Sequence, residues 1–255
     1  MNFERMTIAE LSAYLEVRES LHPDEEELLK KDPRRGVAIL LERFYRRLEA
    51  RLQESKRLHK MLSLERELWQ SGFKQVAGVD EAGRGPLAGP VVAAAVILKP
   101  DVKISLLNDS KQLSSATREM LFEKIIINAL GYAIGSASRE EIDRINIHAA
   151  SMLAMRRALE ALPVEPDYVL VDGFQLKECP FKQKAIKNGD FLSQSIAAAS
   201  ILAKVTRDKI MAGLHRQYPA YGFERNMGYG TEEHRRALSR YGPCPAHRRS
   251  FRLNY

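Results

Sequence analysis

The sequence predicts an α/β protein: a mixed β-sheet flanked by helices, preceded by a small helical module and followed by a helical, basic C-terminal region. Three observations predict it. Residues 1–70 carry apolar residues at helical spacing among charges and contain a single glycine, Gly36. Residues 75–98 hold two short apolar runs joined by a glycine-rich break, which reads as two antiparallel strands. Three early strands are followed by helix-linked strands, which implies a mixed sheet with helices on its faces.

The elements follow in order. Thr7-Ile8-Ala9-Glu10 fits a capping box, and Ala9, Leu11, Tyr14 and Leu15 continue as a helical stripe. Asp24 to Glu27 opens a second short helix, with acids at its positive end. From about Val37 to Gln70 apolar residues recur at helical spacing among charges, and this helical module joins the main domain near Ser71-Gly72. The domains expected are therefore 1–70 and 71–255. Strands are expected at 75–80 and 90–98, a polar loop at 106–111, and a helix from Ser114 or Ser115 to Ala129. A third strand spans 131–137, and two helices span 140–145 and 147–162. Strands at 168–173 and 184–186 precede the turn Lys187-Asn188-Gly189-Asp190, and a long helix spans 193–217. The tail from Tyr218 is irregular, with one more helix at about 231–241.

Composition narrows the class. The chain has 255 residues, 45% of them hydrophobic, and a net charge of +7, which suits a globular protein with one sizeable core. No apolar run approaches the ~18 residues of a membrane span, and the N-terminal residues lack an apolar signal core. A cytoplasmic protein with no membrane partner is expected. Cys179 and Cys244 have no metal-site spacing and read as free thiols. The charge is uneven. Residues 1–74 carry 15 basic and 14 acidic groups, 75–203 carry 14 and 15, and 204–255 carry 11 and 4. The whole excess lies in the last segment, as a polyanion-binding surface requires.

Candidate chemistry sits at strand ends. VAGVDE, VLVDG and KNGD each place a carboxylate at the end of a strand or in the turn after it, where sheets covered by helices bind ligands. A single such aspartate is ordinarily a turn or cap residue. Asp80, Glu81, Asp172 and Asp190 together would repel one another unless protons or cations neutralise them. Oxygen-ligated Mg²⁺ or Mn²⁺ suits them, and no His/Cys set has zinc spacing. Two cations held by carboxylates suit phosphodiester hydrolysis. Gly83-Arg84-Gly85 lies beside the Asp80-Glu81 pair: glycine permits close backbone approach and arginine can hold phosphate bidentately. In the tail, Tyr221, Phe223 and Tyr229 are interleaved with Arg225, Arg235, Arg236 and Arg240, a pattern that can stack on bases or sugars.

These motifs resemble the ribonuclease HII family, the bacterial type 2 ribonucleases H. The resemblance rests on D-E-A-G-R-G-P-L-A-G-P-V from Asp80, Asn108-Asp109-Ser110-Lys111, the VDG at 171–173, the GD at 189–190, the helix Ala198 to Asp208, and Gly228-Tyr229-Gly230-Thr231 with His234. It covers about residues 73–250. It implies a ribonuclease H-like fold and an endonuclease that cuts the RNA strand of RNA–DNA hybrids, leaving a 5′-phosphate. It also implies nicking 5′ of a single ribonucleotide embedded in duplex DNA. By the same resemblance Asp80, Glu81, Asp172 and Asp190 are the metal-binding acids. Gly83, Arg84 and Gly85 sense the ribose 2′-hydroxyl, Tyr229 packs on the following sugar, and Lys111 and Lys204 contact substrate. Met227 stands where the family often has lysine, which removes one phosphate contact from that loop. Asp208 is read as structural. A monomer is expected, and nothing in the sequence supports a sliding-clamp partner. The alternatives are a ribonuclease HIII-like hybrid nuclease, a non-catalytic nucleic-acid-binding protein, and a small-molecule phosphatase. The G-R-G turn argues against the first and the basic tail against the last.

Overall fold

The structure, a computed structural model, describes residues 3–253. Two compact units divide the chain, Met1–Arg57 and Leu58–Tyr255.

The first unit is helical. α1 (Ile8–Glu16) begins with the expected capping box: Thr7 N donates to a Glu10 carboxylate oxygen at 2.7 Å, and Glu10 N donates to Thr7 Oγ1 at 3.2 Å. α2 (Pro23–Lys31) opens on a proline, whose missing N–H costs nothing at that position. α3 (Arg35–Met61) follows. Leu11, Leu15, Leu29, Val37, Leu41 and Phe44 form this unit's own core. The helical stretch over 37–70 forms as two helices. α3 ends at Met61, Leu62 leaves helical geometry, and α4 (Ser63–Gln70) begins. Met61 is buried in the core that contains Ala198 and Ile201, while Leu64, Leu68 and Trp69 pack around Val76 and Ile196.

In the second unit, β1 (Val76–Ala82), β2 (Val91–Leu98), β3 (Ala129–Ala137), β4 (Tyr168–Asp172) and β5 (Gln183–Ile186) form one sheet in the order β3-β2-β1-β4-β5. The β1–β2 and β2–β3 pairs are antiparallel, and β1–β4 and β4–β5 are parallel. α5 (Ser115–Asn128), α6 (Arg139–Ile145) and α7 (Ile147–Glu160) connect the strands before β4. The four-residue α8 (Gly189–Leu192) forms where a plain turn was expected, and leads to α9 (Gln194–Gln217).

The strand period of two decides which side chains meet which layer. Ala77, Val79, Ala93, Ala95, Val169 and Val171 face Ala150, Ala154 and Ala158 of α7. Ala94, Val96 and Leu98 face Ala198, Ile201 and Leu202 of α9. The alanine-rich start of α9 lets it lie very close to β1. A Cβ on Gly78 would stand 2.1 Å from the carbonyl carbon of Ser195, so only glycine fits there. In the tail, the four-residue α10 (Phe223–Asn226) and α11 (Glu232–Tyr241) pack around Tyr221, Phe223 and Leu238. Among the described residues no helix is long and apolar enough to cross a membrane. Cys179 and Cys244 are free thiols, as expected.

Candidate active site

Asp80 and Asp172 come together through strand register. β1 and β4 are parallel, with Gly78 opposite Leu170 and Val79 opposite Val171. The next step places Asp80 beside Asp172 at the same end of the sheet. Both lie two residues beyond a position facing α9, so both side chains leave on that face. Glu81 follows Asp80 directly, and Asp190 arrives on α8, whose Gly189 N donates to Asp172 Oδ1 at 2.7 Å.

A cavity of about 210 Å³ opens at this end. Its wall includes Asp80, Glu81, Gly83, Arg84, Gly85, Lys111, Lys204 and Tyr229, all of them singled out from sequence. Asp172 and Asp190 are not on the wall. They act on it through charge.

Burial and like charge make these carboxylates hard to ionise. Burial pushes Asp80 well above the usual carboxylate range, and the neighbouring charges of Glu81 and Asp172 push it further. Its partial relief is a Ser200 hydroxyl bond and the Glu81 N–H, which donates to Oδ1 at 2.6 Å. Burial also raises Glu81, against the pull of Arg84, whose Nη1 lies 3.3 Å from Oε1. Asp190 is pushed up to about 6, first by burial and then by Asp109 and Asp172. Lys204 Nζ donates to Asp208 Oδ1 at 2.7 Å, and Arg118 also approaches Asp208, which therefore anchors the cavity lysine. Tyr229 is 47% exposed, whereas Tyr221 and Phe223 are buried. Those two rings stack on each other beside the imidazoles of His234 and His247, so they belong to the core and not to a stacking surface.

Four further residues shape the site that sequence reasoning did not single out. Asp109 is buried and hydrogen-bonds Asp190, and its Oδ1 accepts the Lys111 N–H at 2.9 Å. Ser200 links Asp80 to Ser110 Oγ at 3.0 Å. Arg207, on the cavity wall, and Arg248 hold carbonyls of the glycine-rich turn and the loop after it. A signal for two of them was present: Ser200, Lys204 and Arg207 fall at i, i+4 and i+7, one face of a helix.

The donor set is oxygen-only and surplus in negative charge, which fits hard divalent cations. As the side chains stand, no three His, Cys, Asp or Glu among the described residues converge closely enough to hold an ion. Glu81 is turned toward Arg84 and Asp190 toward Asp109.

The sheet order, the acids at its parallel strand ends and the flanking helices define a ribonuclease H-like protein. The solved ribonuclease H2 from Pyrococcus horikoshii OT3 superposes with a TM-score of 0.59 at 29% identity, covering 70% of this chain and 94% of that one. A ribonuclease HIII solved in complex with Mn²⁺ superposes at 0.50 with 21% identity, covering 66% and 63%, a likeness of fold alone. The Ribonuclease HII family model matches residues 77–254, and the model of the Ribonuclease HII N-terminal domain matches 7–69. The curated ribonuclease HII of Desulfitobacterium hafniense is 51% identical over 250 residues, 97% of this chain and 94% of that protein. The chain belongs to the ribonuclease HII family, and is a ribonuclease H.

Proposed function

We propose that this ribonuclease H is a divalent-metal-dependent endonuclease that cuts the RNA strand of RNA–DNA hybrids and nicks duplex DNA on the 5′ side of a single embedded ribonucleotide. The work it fits is ribonucleotide excision and primer removal in the cytoplasm. The observation that carries this reading is one turn. Residues 80–85 place two desolvated carboxylates and a glycine-flanked arginine on the wall of one cavity. Phosphodiester chemistry and recognition of a single 2′-hydroxyl must meet within one nucleotide, and the 2′-hydroxyl is what distinguishes RNA from DNA there.

Asp80, Glu81, Asp172 and Asp190 would hold Mn²⁺ or Mg²⁺ in a two-cation arrangement. When bound, the cations supply an activated water and charge for the leaving oxygen. The chain's own residues do the rest. Arg84, Lys111 and Lys204 hold phosphate around the cavity, and the backbone of Gly83 to Gly85 reads the ribose. Tyr229 stacks on the next sugar, where a second 2′-hydroxyl would be crowded. Turning Glu81 from Arg84 and Asp190 from Asp109 frees both acids for a cation while Arg84 turns to phosphate. Residues 1–70 are an extension to the catalytic domain, near-neutral in charge, and the protein works as a monomer.

The test is a labelled DNA duplex containing one ribonucleotide, incubated with Mn²⁺, Mg²⁺ or EDTA, with the cut mapped. A metal-dependent nick 5′ of the ribonucleotide is expected. Cutting confined to longer RNA tracts would favour a ribonuclease HIII-like specificity. Salt-sensitive binding with no cutting would mean a nucleic-acid-binding protein without catalysis.

A further inference from the structure

Among the described residues, Arg207 and Arg248 are the two largest fully buried side chains. Among the described residues, every hydrogen bond from either guanidinium goes to a main-chain carbonyl. A buried cation without a carboxylate is a poor way to stabilise a fold, since apolar packing does it at lower cost. Its use has to be sought in what it holds.

Arg248 holds one loop. Its Nε donates to Gly89 O at 2.9 Å, Nη1 to Arg84 O at 3.0 Å and Pro86 O at 2.8 Å, and Nη2 to Gly83 O at 2.6 Å and Pro90 O at 3.2 Å. A guanidinium has five N–H groups in a planar fork, and five carbonyls of residues 83–90 take all of them. The tail that carries Arg248 is itself fixed. Arg248 N donates to Leu87 O at 2.9 Å, Gly89 N donates to Ala246 O at 2.9 Å, and Asp143 of α6 accepts the amides of Arg249 and Ser250. Arg207 approaches from α9. It bonds Pro90 O, Ala88 O and Met227 O at 3.0 to 3.1 Å, tying the same loop to the segment that ends in Tyr229.

The consequence lies on the other side of the peptides. In a trans peptide the C=O and the next N–H point in opposite directions. With the carbonyls of Gly83 and Arg84 turned onto Arg248, the amides of Arg84 and Gly85 point away from it. Both residues line the cavity. Among the described residues neither amide has a hydrogen-bond partner, whereas the amide after Pro86 is taken by Gly228 O at 2.8 Å. Two adjacent amides with a fixed direction form a small concave donor site for an oxygen ligand.

We propose that Arg248, assisted by Arg207, is the positioning residue for ribonucleotide discrimination: it turns the carbonyls of the 83–90 loop inward so that the Arg84 and Gly85 amides face the ribose. The inference rests on the reading of that turn as the ribose-sensing element. Arg248 is not on the cavity wall, and Arg207, which is, turns its guanidinium onto main-chain carbonyls. A lysine at 248 keeps the charge but offers three N–H groups from one point, and cannot hold five carbonyls.

The test measures binding in EDTA, so that no cleavage intervenes. Duplexes identical but for one ribonucleotide or one deoxynucleotide at the same position are titrated with wild-type protein, Arg248→Lys and Arg207→Lys. Wild-type protein is expected to prefer the ribonucleotide duplex about tenfold, the worth of one or two neutral hydrogen bonds. In Arg248→Lys that ratio should fall to near one, with affinity for the all-deoxy duplex unchanged. Arg207→Lys should lower the ratio less. A purely structural role would reduce both affinities together and leave the ratio intact, which would overturn the proposal. A wild-type ratio of one would instead overturn the reading of the turn on which it rests. Should Arg248→Lys not fold, the wild-type protein decides through its amide NMR shifts. Those of Arg84 and Gly85 should move with the ribonucleotide duplex and not with its all-deoxy counterpart, and equal or absent movement would refute the proposal.

Discussion

Replacing Asp80 by asparagine should make the metal-free protein more stable while removing its activity. Neighbouring strands lie about 4.8 Å apart, so two ionised carboxylates at Asp80 and Asp172 repel by about 3 kcal/mol at an effective dielectric of about 20. Lys111 and Lys204 on the cavity wall and Arg84 beside Glu81 offset part of this. A net gain of about 1–2 kcal/mol is expected for Asp80→Asn at neutral pH, within the usual yield of relieving a strained functional site. The substitution keeps the main hydrogen bonds of the position. Asparagine Oδ1 can still accept the Glu81 N–H, and its amide can donate to the Ser200 hydroxyl. The pH dependence has a definite sign. A carboxyl raised by burial contributes stability below its ordinary range and loses it as pH rises through the folded value. The advantage of Asp80→Asn should therefore be small near pH 4 and grow toward pH 7. Thermal unfolding in EDTA at several pH values measures it, with about 2–4 °C expected per kcal/mol for a unit of this size. A melting temperature at pH 7 no higher than wild type, or a gain as large at pH 4 as at pH 7, would refute the reasoning.

Three other outcomes follow from the same geometry. Asp190 rises from 3.8 to about 6, so its contribution to stability is present below pH 3.8 and is lost as pH climbs through 6. Stabilisation by added Mn²⁺ should grow across that window, because cation and proton compete for the same oxygens, and Asp190→Asn should flatten the rise in a melting series. At the glycine-rich turn, Gly83 has φ +97° and its Cβ would stand 2.0 Å from Arg207 Nε, whereas a Cβ on Gly85 meets nothing closer than a Tyr229 ring carbon at 3.5 Å. Gly83→Ala should cost about 1–3 kcal/mol of stability, while Gly85→Ala should leave denaturant midpoints almost unchanged and lower cleavage by placing a methyl in the cavity. Glu65 is buried, and its Oε1 accepts from Ser193 Oγ, Ser195 N and Ser195 Oγ at 2.6 to 2.9 Å, holding the start of α9. Glu65→Ala strands those donors and should cost about 2–3 kcal/mol in urea unfolding. Because burial raises Glu65, Glu65→Gln should weaken the loss of stability as pH increases.

The parts of this structure legible in sequence are those that short-range pattern controls. The apolar runs in Val76–Ala82 and Val91–Leu98 marked two strands that are buried almost throughout, and the strand-end motifs located Asp80 and Asp172 before any register was known. The helix break at Leu62 was not legible, because no glycine or proline marks it. Phe223 shared the aromatic–basic pattern of the tail with Tyr229, and only packing against His234 and His247 separates the core ring from the exposed one. Arg248 lies more than 150 residues from the carbonyls it holds, so no local pattern could announce it. Asp109 stood inside a quoted motif, but it reads as an ordinary turn residue until Asp190 is placed beside it.

The central claim is that the carboxylates at the ends of β1 and β4 perform chemistry and do not merely shape a nucleic-acid-binding surface. The most direct measurement is the single-turnover cleavage rate and the dissociation constant of wild type and Asp80→Asn on one duplex containing a single ribonucleotide, in Mn²⁺. The account predicts a rate lower by about a thousandfold or more, the usual scale for loss of a group acting in the transition state, with binding within a few-fold of wild type. Retained cleavage in Asp80→Asn, or a loss of rate matched by an equal loss of binding, would contradict it.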